Sequence, residues 1–205
     1  MLTLLFTCFL TLPVYPLNPV EQDTLALMNL HVTAGFNAPN RFASVSPELT
    51  GKYEMLLKHP FVVRAACDYR YSSVSSVLYP HGNLHSVTVS LEGLYYRGTN
   101  TLTGYIGLGP LVGFNYLSLS TRSADSLRAN LGITGVRIKP SLGYRLTVGL
   151  RYHRAYSLEL SVSQVRPVFV YTRRYSPTTY SETSDKTRLS DVRLTLGYLI
   201  SLKGF

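Results

Sequence analysis

At 205 residues the chain is long enough for one domain with a packed core or a small barrel. Charged residues make up only 15% of it, too few for an ordinary soluble surface, where about a quarter is usual. Its net charge of +9 does not point to nucleic acid, because the 20 Lys and Arg are scattered through apolar segments and never gather into a run that would make the continuous patch phosphate backbones require.

The chain opens with MLTLLFTCFLTLPVYPLNPV, an apolar run broken by Pro13 and Pro16 before Glu21. Residues 1–20 read as an export signal and residues 21–205 as the mature domain. The signal is atypical: no Lys or Arg precedes the apolar run and no small-x-small site closes it, and a buried N-terminal segment is the alternative. Cys8 lacks the small residues that a lipoprotein signal places before its cysteine. Cys67 is then the one cysteine of the mature chain, without a partner for an internal disulfide.

Beyond the signal the periodicity is that of strands, and no helix longer than a couple of turns is predicted. Eight strands are expected, over residues 25–36, 48–57, 61–71, 85–96, 102–117, 136–152, 158–173 and 189–205. The sixth is the clearest, with Val136, Ile138, Pro140, Leu142, Tyr144, Leu146, Val148, Leu150 and Tyr152 alternating with polar or small residues in one unbroken phase. Strands of soluble domains run about 5–6 residues, whereas a tilted strand crossing a bilayer needs roughly 9–11. The gaps after strands two, four and six are tight (KHP, RGTNT, HRAYS), and the others are long and polar. Short periplasmic turns and longer outer loops make that alternation. Pro140 and Pro167 cannot donate to a ladder and predict bulges or distorted pairing, and strand seven slips phase near Gln164.

Alternation alone also suits a soluble lipocalin-like barrel, so the composition of the two faces decides. Tyr53, Phe61, Tyr69, Tyr71 and Tyr95 fall on the apolar face near strand ends, where an interfacial girdle belongs. Lys52, Glu54, Arg64, Asp68, Arg70 and Glu92 share the other face with Gly, Ser and Thr, which suits a narrow lumen. A three-residue turn at Lys58, His59 and Pro60 sets Glu54 opposite Arg64, and a five-residue turn after Tyr152 sets Arg151 opposite Glu159. Glu92 is expected at the height of Arg64, giving a lumen ion-pair network of Lys52, Glu54, Arg64, Asp68, Glu92, Arg151 and Glu159. Arg137, Lys139, Arg145, Arg166 and Arg193 leave a basic surplus on the last strands, facing lumen water or lipid phosphates. In the outer loops, STRSADSLRANLGIT predicts a short helical turn starting at Ser123, and YSPTTYSETSDKT is rich in Ser, Thr and Tyr.

The catalytic signals are thin. His153 and Ser157 of HRAYS, with Glu159 beyond, hold the residue types of lipid A deacylases, but three residues separate the His from the Ser, no Asn follows, and the segment falls in a periplasmic turn. His31 stands alone on the inward face of strand one. No Cys/His cluster has metal-ligand spacing, and the glycines of GYIGLGPLVG lie inside a strand, so no cofactor is implied.

The chain ends TLGYLISLKGF, in which Thr195, Gly197, Ile200 and Leu202 resemble the polar-x-Gly-x-x-hydrophobic-x-hydrophobic assembly signal of outer-membrane barrels, and Phe205 resembles their terminal aromatic residue. With the eight strands, the whole of 25–205 resembles a small eight-stranded outer-membrane β-barrel protein of the OmpA-barrel or OmpX kind. The resemblance implies an all-β, up-and-down transmembrane barrel in the bacterial outer membrane, monomeric, surrounded by lipid and lipopolysaccharide and inserted by the barrel assembly machinery. It also implies a non-enzymatic envelope or surface-interaction role through the outer loops. A narrow porin-like channel and a lipid-A-modifying enzyme are the alternatives.

Overall fold

The computed structural model describes residues 29–37, 46–58, 60–76, 79–99, 101–153, 155–176, 178–187 and 189–201; the segment read as an export signal, residues 25–28 of the first expected strand, and Leu202 to Phe205 lie outside them. In chain order the elements are β1 (Asn29–Asn37), β2 (Ser46–Lys58), β3 (Phe61–Ser76), β4 (Tyr79–Gly98), β5 (Leu102–Leu119), α1 (Thr121–Leu131), β6 (Ile133–Lys139), β7 (Ser141–Tyr152), β8 (Tyr156–Val165), β9 (Val168–Arg174), β10 (Tyr180–Lys186) and β11 (Leu189–Ser201). All strands but β6, β9 and β10 close into one eight-stranded antiparallel barrel, with β11 pairing β1 from Asn29↔Ser201 to Asn37↔Arg193.

Each barrel strand turns one side-chain set inward and the other outward. On β3, Arg64, Asp68, Arg70 and Ser72 are buried while Phe61, Tyr69 and Tyr71 are exposed; on β11, Asp191, Arg193 and Thr195 are buried while Val192, Leu194, Leu196 and Tyr198 are exposed. Charge inside and hydrocarbon outside invert a soluble protein, and only a lipid surrounding makes that pattern favourable, which disposes of the lipocalin-like alternative. Aromatic rings mark both borders of the belt. Phe61 packs on Tyr95 at 5.6 Å between centroids and Tyr156 on Tyr198 at 5.5 Å near the short turns, while Tyr71, His85 and Tyr116 form a row at the other end. From Phe61 to Tyr71 the strand runs about 33 Å, which at a tilt near 40° spans roughly 25 Å of membrane.

The expected sixth and seventh strands are each two strands. Pro140 and Pro167 break them, so β6 ends at Lys139 and β8 at Val165, close to the predicted phase slip at Gln164. Released from the barrel, β6 and β9 pair with each other and β9 with β10, forming a three-stranded sheet in the order β10-β9-β6. The gap after strand three is no long loop, because β3 and β4 continue as one hairpin to the Ser76↔Tyr79 pair. Val74, Leu84 and Leu117 at the outer mouth of the barrel pack with Leu119 and with Val136 and Ile138 of the small sheet, which caps the lumen with apolar side chains. The expected helical turn is an eleven-residue helix, α1, started by Ser120, whose hydroxyl accepts from the Ser123 amide, and stopped by Gly132 in the left-handed conformation (φ 64°). Between β7 and β8 the turn is three residues, not five, with His153 at φ 48°.

In intact cells, added trypsin is expected to cut after Arg122 or Arg128 in exposed α1 and to spare the 153–155 turn, with the clipped barrel keeping its heat-modifiable mobility on gels. First cuts at that turn would mean that the short turns face outward.

Candidate functional site

Among the described residues, six basic side chains (Lys52, Arg64, Arg70, Arg145, Arg151, Arg193) and six acidic ones (Glu48, Glu54, Asp68, Glu92, Glu159, Asp191) are buried in the barrel, so the formal charge of this set is zero. Alternation on six barrel strands delivers them, and they pair in three tiers.

Nearest the short turns, Arg64 of β3 reaches Glu54 of β2 at 2.7 Å and Glu159 of β8 at 2.7 Å on the opposite wall. Lys52 takes the other oxygen of Glu159 at 2.8 Å, and Arg151 takes that of Glu54 at 2.9 Å. Two tyrosines complete the tier: Tyr96 donates to Glu54 at 3.0 Å and Tyr105 to Glu159 at 2.9 Å. Their rings stack at 5.1 Å, with the Arg64 guanidinium 5.0 Å from the Tyr105 centroid and that of Arg151 5.1 Å from Tyr96. Gly149 makes this possible, since a Cβ there would sit 2.2 Å from Tyr105 Cζ.

In the middle tier Arg145 binds Asp68 and, at 3.3 Å, Glu92, and Arg193 bridges Glu48 at 2.5 Å and Asp68 at 3.1 Å. Thr147 and Ser90 donate to Glu92 at 2.8 and 2.9 Å. Above it, Arg70 pairs with Asp191 at 3.0 Å. A cavity of about 10 Å³ beside Asp68, Arg70 and Arg193 has room for roughly one water.

Glu54, Arg64 and Glu92 share one row of the β2–β3–β4 ladder, but the second carboxylate on Arg64 is Glu159, and Glu92 belongs to Arg145. The short β7–β8 turn pairs Arg151 with Ser157 and Gly149 with Glu159, so the carboxylate that Arg151 meets is Glu54, across the lumen. The expected basic surplus splits: Arg145 and Arg193 are lumen groups with acidic partners, whereas Arg137, Lys139 and Arg166 lie exposed outside it. Tyr96, Tyr105, Glu48 and Asp191 are network members that the residue pattern left unassigned. Their inward phase was the available signal, opposite to that of the girdle aromatics.

In the closing strand, Thr195 is buried and faces Gly35 of β1 and Glu159 of β8 in the ladder. A Cβ on Gly197 would lie 2.2 Å from Thr33 Cγ2 and 2.7 Å from Ser157 Oγ, so the glycine lets β1, β11 and β8 close tightly. Ile200 pairs with Leu30 across the β1–β11 seam, while Leu202 and Phe205 lie outside the described residues. Of the deacylase-like residue types, His153 is exposed with its ring 4.3 Å from that of Tyr152, Ser157 is buried in the wall, and Glu159 is held by Lys52, Arg64 and Tyr105. They form no relay. His31 takes its place on β1 opposite Lys52 and Leu199. Among the described residues no group of three or more His, Cys, Asp or Glu is placed to hold a metal.

No family model matches the chain and no curated protein matches it in sequence. Solved structures match it in fold. The outer membrane protein OprG of Pseudomonas aeruginosa superposes with a TM-score of 0.57 at 14% identity, over 85% of this chain and 95% of its own. Outer membrane protein AlkL gives 0.54 at 15% identity over 94% and 98%, and Neisserial surface protein A gives 0.52 at 11% over 85% and 97%. The chain has the fold of the small eight-stranded bacterial outer-membrane β-barrels, and its apolar exterior makes it an integral membrane barrel of that type.

Arg64→Ala leaves Glu54 and Glu159 short of a buried cation and is expected to lower barrel stability by about 3–5 kcal/mol. Arg137→Ala breaks a pair whose side chains are 61% and 53% exposed and should cost less than about 1 kcal/mol. Denaturant titrations of both variants in one detergent make the comparison, and equal midpoints would contradict the role given to Arg64.

Proposed function

We propose that the protein is a closed, non-enzymatic barrel of the bacterial outer membrane that acts through its outer surface, in envelope structure or in contact with a neighbouring surface. The observation that carries this reading is the filled lumen. A neutral set of twelve buried charges joins opposite walls, and an apolar cluster of Val74, Leu84, Leu117, Val136 and Ile138 covers it at the outer mouth. An eight-stranded ring encloses a lumen just wide enough for its own side chains, and these chains hold each other instead of lining a path. What extends beyond the membrane is α1, the small sheet and the long β3–β4 hairpin, the elements available for contact.

Assembly fits the same reading. β11 joins both neighbours of the closing seam, and its Gly197 permits the close approach, so the insertion machinery is proposed to read this strand through Thr195, Gly197, Ile200, Leu202 and Phe205. Residues 1–20 are proposed as the export signal that delivers the chain to it, and the inserted barrel as a monomer.

The test is single-channel recording in planar bilayers beside incubation with lipopolysaccharide. The wild-type barrel is expected to be silent and to release no acyl chains, while Arg64→Ala opens small, short-lived conductance events. Steady wild-type conductance would favour the narrow-channel reading, and released acyl chains the enzymatic one.

A further inference from the structure

The sheet of β6, β9 and β10 has two unlike faces. One carries Val136, Ile138 and Phe169 and packs toward the barrel mouth. On the other, the register sets Lys139, Val168 and Lys186 in one row, and both lysines are exposed. Arg166, also exposed, stands two residues before Val168, next to the Pro167 break. Three cations therefore gather at the level where the chain leaves the barrel. Among the described residues of that face the carboxylate is Glu182, which is engaged with Arg137 at 2.8 Å, while Asp185 pairs with Phe169 on the opposite face.

Just beneath, on the lipid-facing side of β7, Leu142 is 76% exposed and Tyr144 53% exposed. Tyr144 lies three residues inside the outer end of β7, where an interfacial aromatic belongs, so Lys139, a few residues further out, stands at the height of lipid headgroup phosphates. Neighbouring strands lie about 4.8 Å apart, which puts the backbones of Lys139 and Lys186 about 10 Å from each other across β9, a gap that two long flexible stems close around a phosphate.

Resting on the membrane placement proposed above, we propose that Lys139, Arg166 and Lys186 form a clip for the phosphate of an outer-leaflet lipid headgroup, whose acyl chains run down over Leu142 and Tyr144. The test uses the full chain in nanodiscs of phosphatidylcholine doped with phosphatidate, with native mass spectrometry counting retained lipid. K139Q/K186Q should lower phosphatidate retention about tenfold or more, as expected for losing two interfacial cations. The charge-matched pair R122Q/R128Q, on α1, should change it less than about twofold, and phosphatidylcholine retention should stay constant in both. Millimolar inorganic phosphate should not displace the lipid. Equal losses in the two pairs would reduce the effect to general charge attraction and overturn the site, as would a wild-type chain without preference for phosphatidate. Displacement by inorganic phosphate alone would overturn the lipid assignment in favour of a free anion. Heat-modifiable mobility checks insertion independently: a chain that fails to insert overturns the barrel reading and the clip together, whereas an inserted chain without the preference overturns the clip alone.

Discussion

Charge neutrality among buried side chains is the constraint on which the rest of this barrel depends. Taking an ion out of water costs several kcal/mol unless a partner and further hydrogen bonds meet it, and here twelve ions share one narrow lumen. The solution is not a row of independent pairs. Arg64 and Arg151 use the planar fork of the guanidinium to reach across, so β2 and β3 are tied to β7 and β8 through Glu54 and Glu159. Because side chains alternate with a period of two, a one-residue slip in any of these strands would send its charges into lipid, where each Arg or Lys costs about 2–4 kcal/mol near the midplane and each carboxylate somewhat less. The network thereby fixes strand register as well as filling space.

Neutrality inside also locates the charge of the whole protein. With equal numbers of acids and bases among the described lumen residues, that set contributes nothing to the net +9 of the chain. A good part lies on the outer elements, where Arg122, Arg128, Arg137, Lys139, Arg166, Arg173, Arg174 and Lys186 outnumber Asp125, Glu182 and Asp185. The two prolines are what make those elements a separate layer. By interrupting the ladder at Pro140 and Pro167 they let two strand extensions leave the barrel ladder and pair with each other, with Val136 and Ile138 toward the mouth and Lys139 and Lys186 exposed on the other face.

The barrel was legible because period-two alternation is a local property: the phase of Lys52, Glu54 and Arg64, or of Val192, Leu194 and Leu196, can be read without knowing any neighbour. Contacts along a single hairpin were legible too, as the Glu54↔Arg64 register illustrates. Contacts across the lumen were not. That Arg151 meets Glu54, or that Arg64 meets Glu159, depends on barrel diameter, stagger and the exact length of the β7–β8 turn, and a two-residue error in that turn moved Arg151 to a different partner. The small sheet was hidden for a related reason. Its residues keep the alternating pattern of the barrel strands from which they continue, and only Pro140 and Pro167 mark the exit. The Ser- and Thr-rich segment that supplies β10 gives no apolar signal, since its strand is edge-paired and exposed throughout most of its length.

The central claim is that the lumen is held shut by fixed guanidinium groups, and nitrogen NMR of the arginine side chains in micelles reads that directly. Arg64, Arg145, Arg151 and Arg193 should each give distinct side-chain N–H signals with slow rotation and slow exchange with water, unlike Arg122 and Arg128 on the exposed helix. If the lumen arginines instead give averaged signals in fast exchange, resembling those of α1, the interior is a wet and mobile path and the closed-barrel account is wrong.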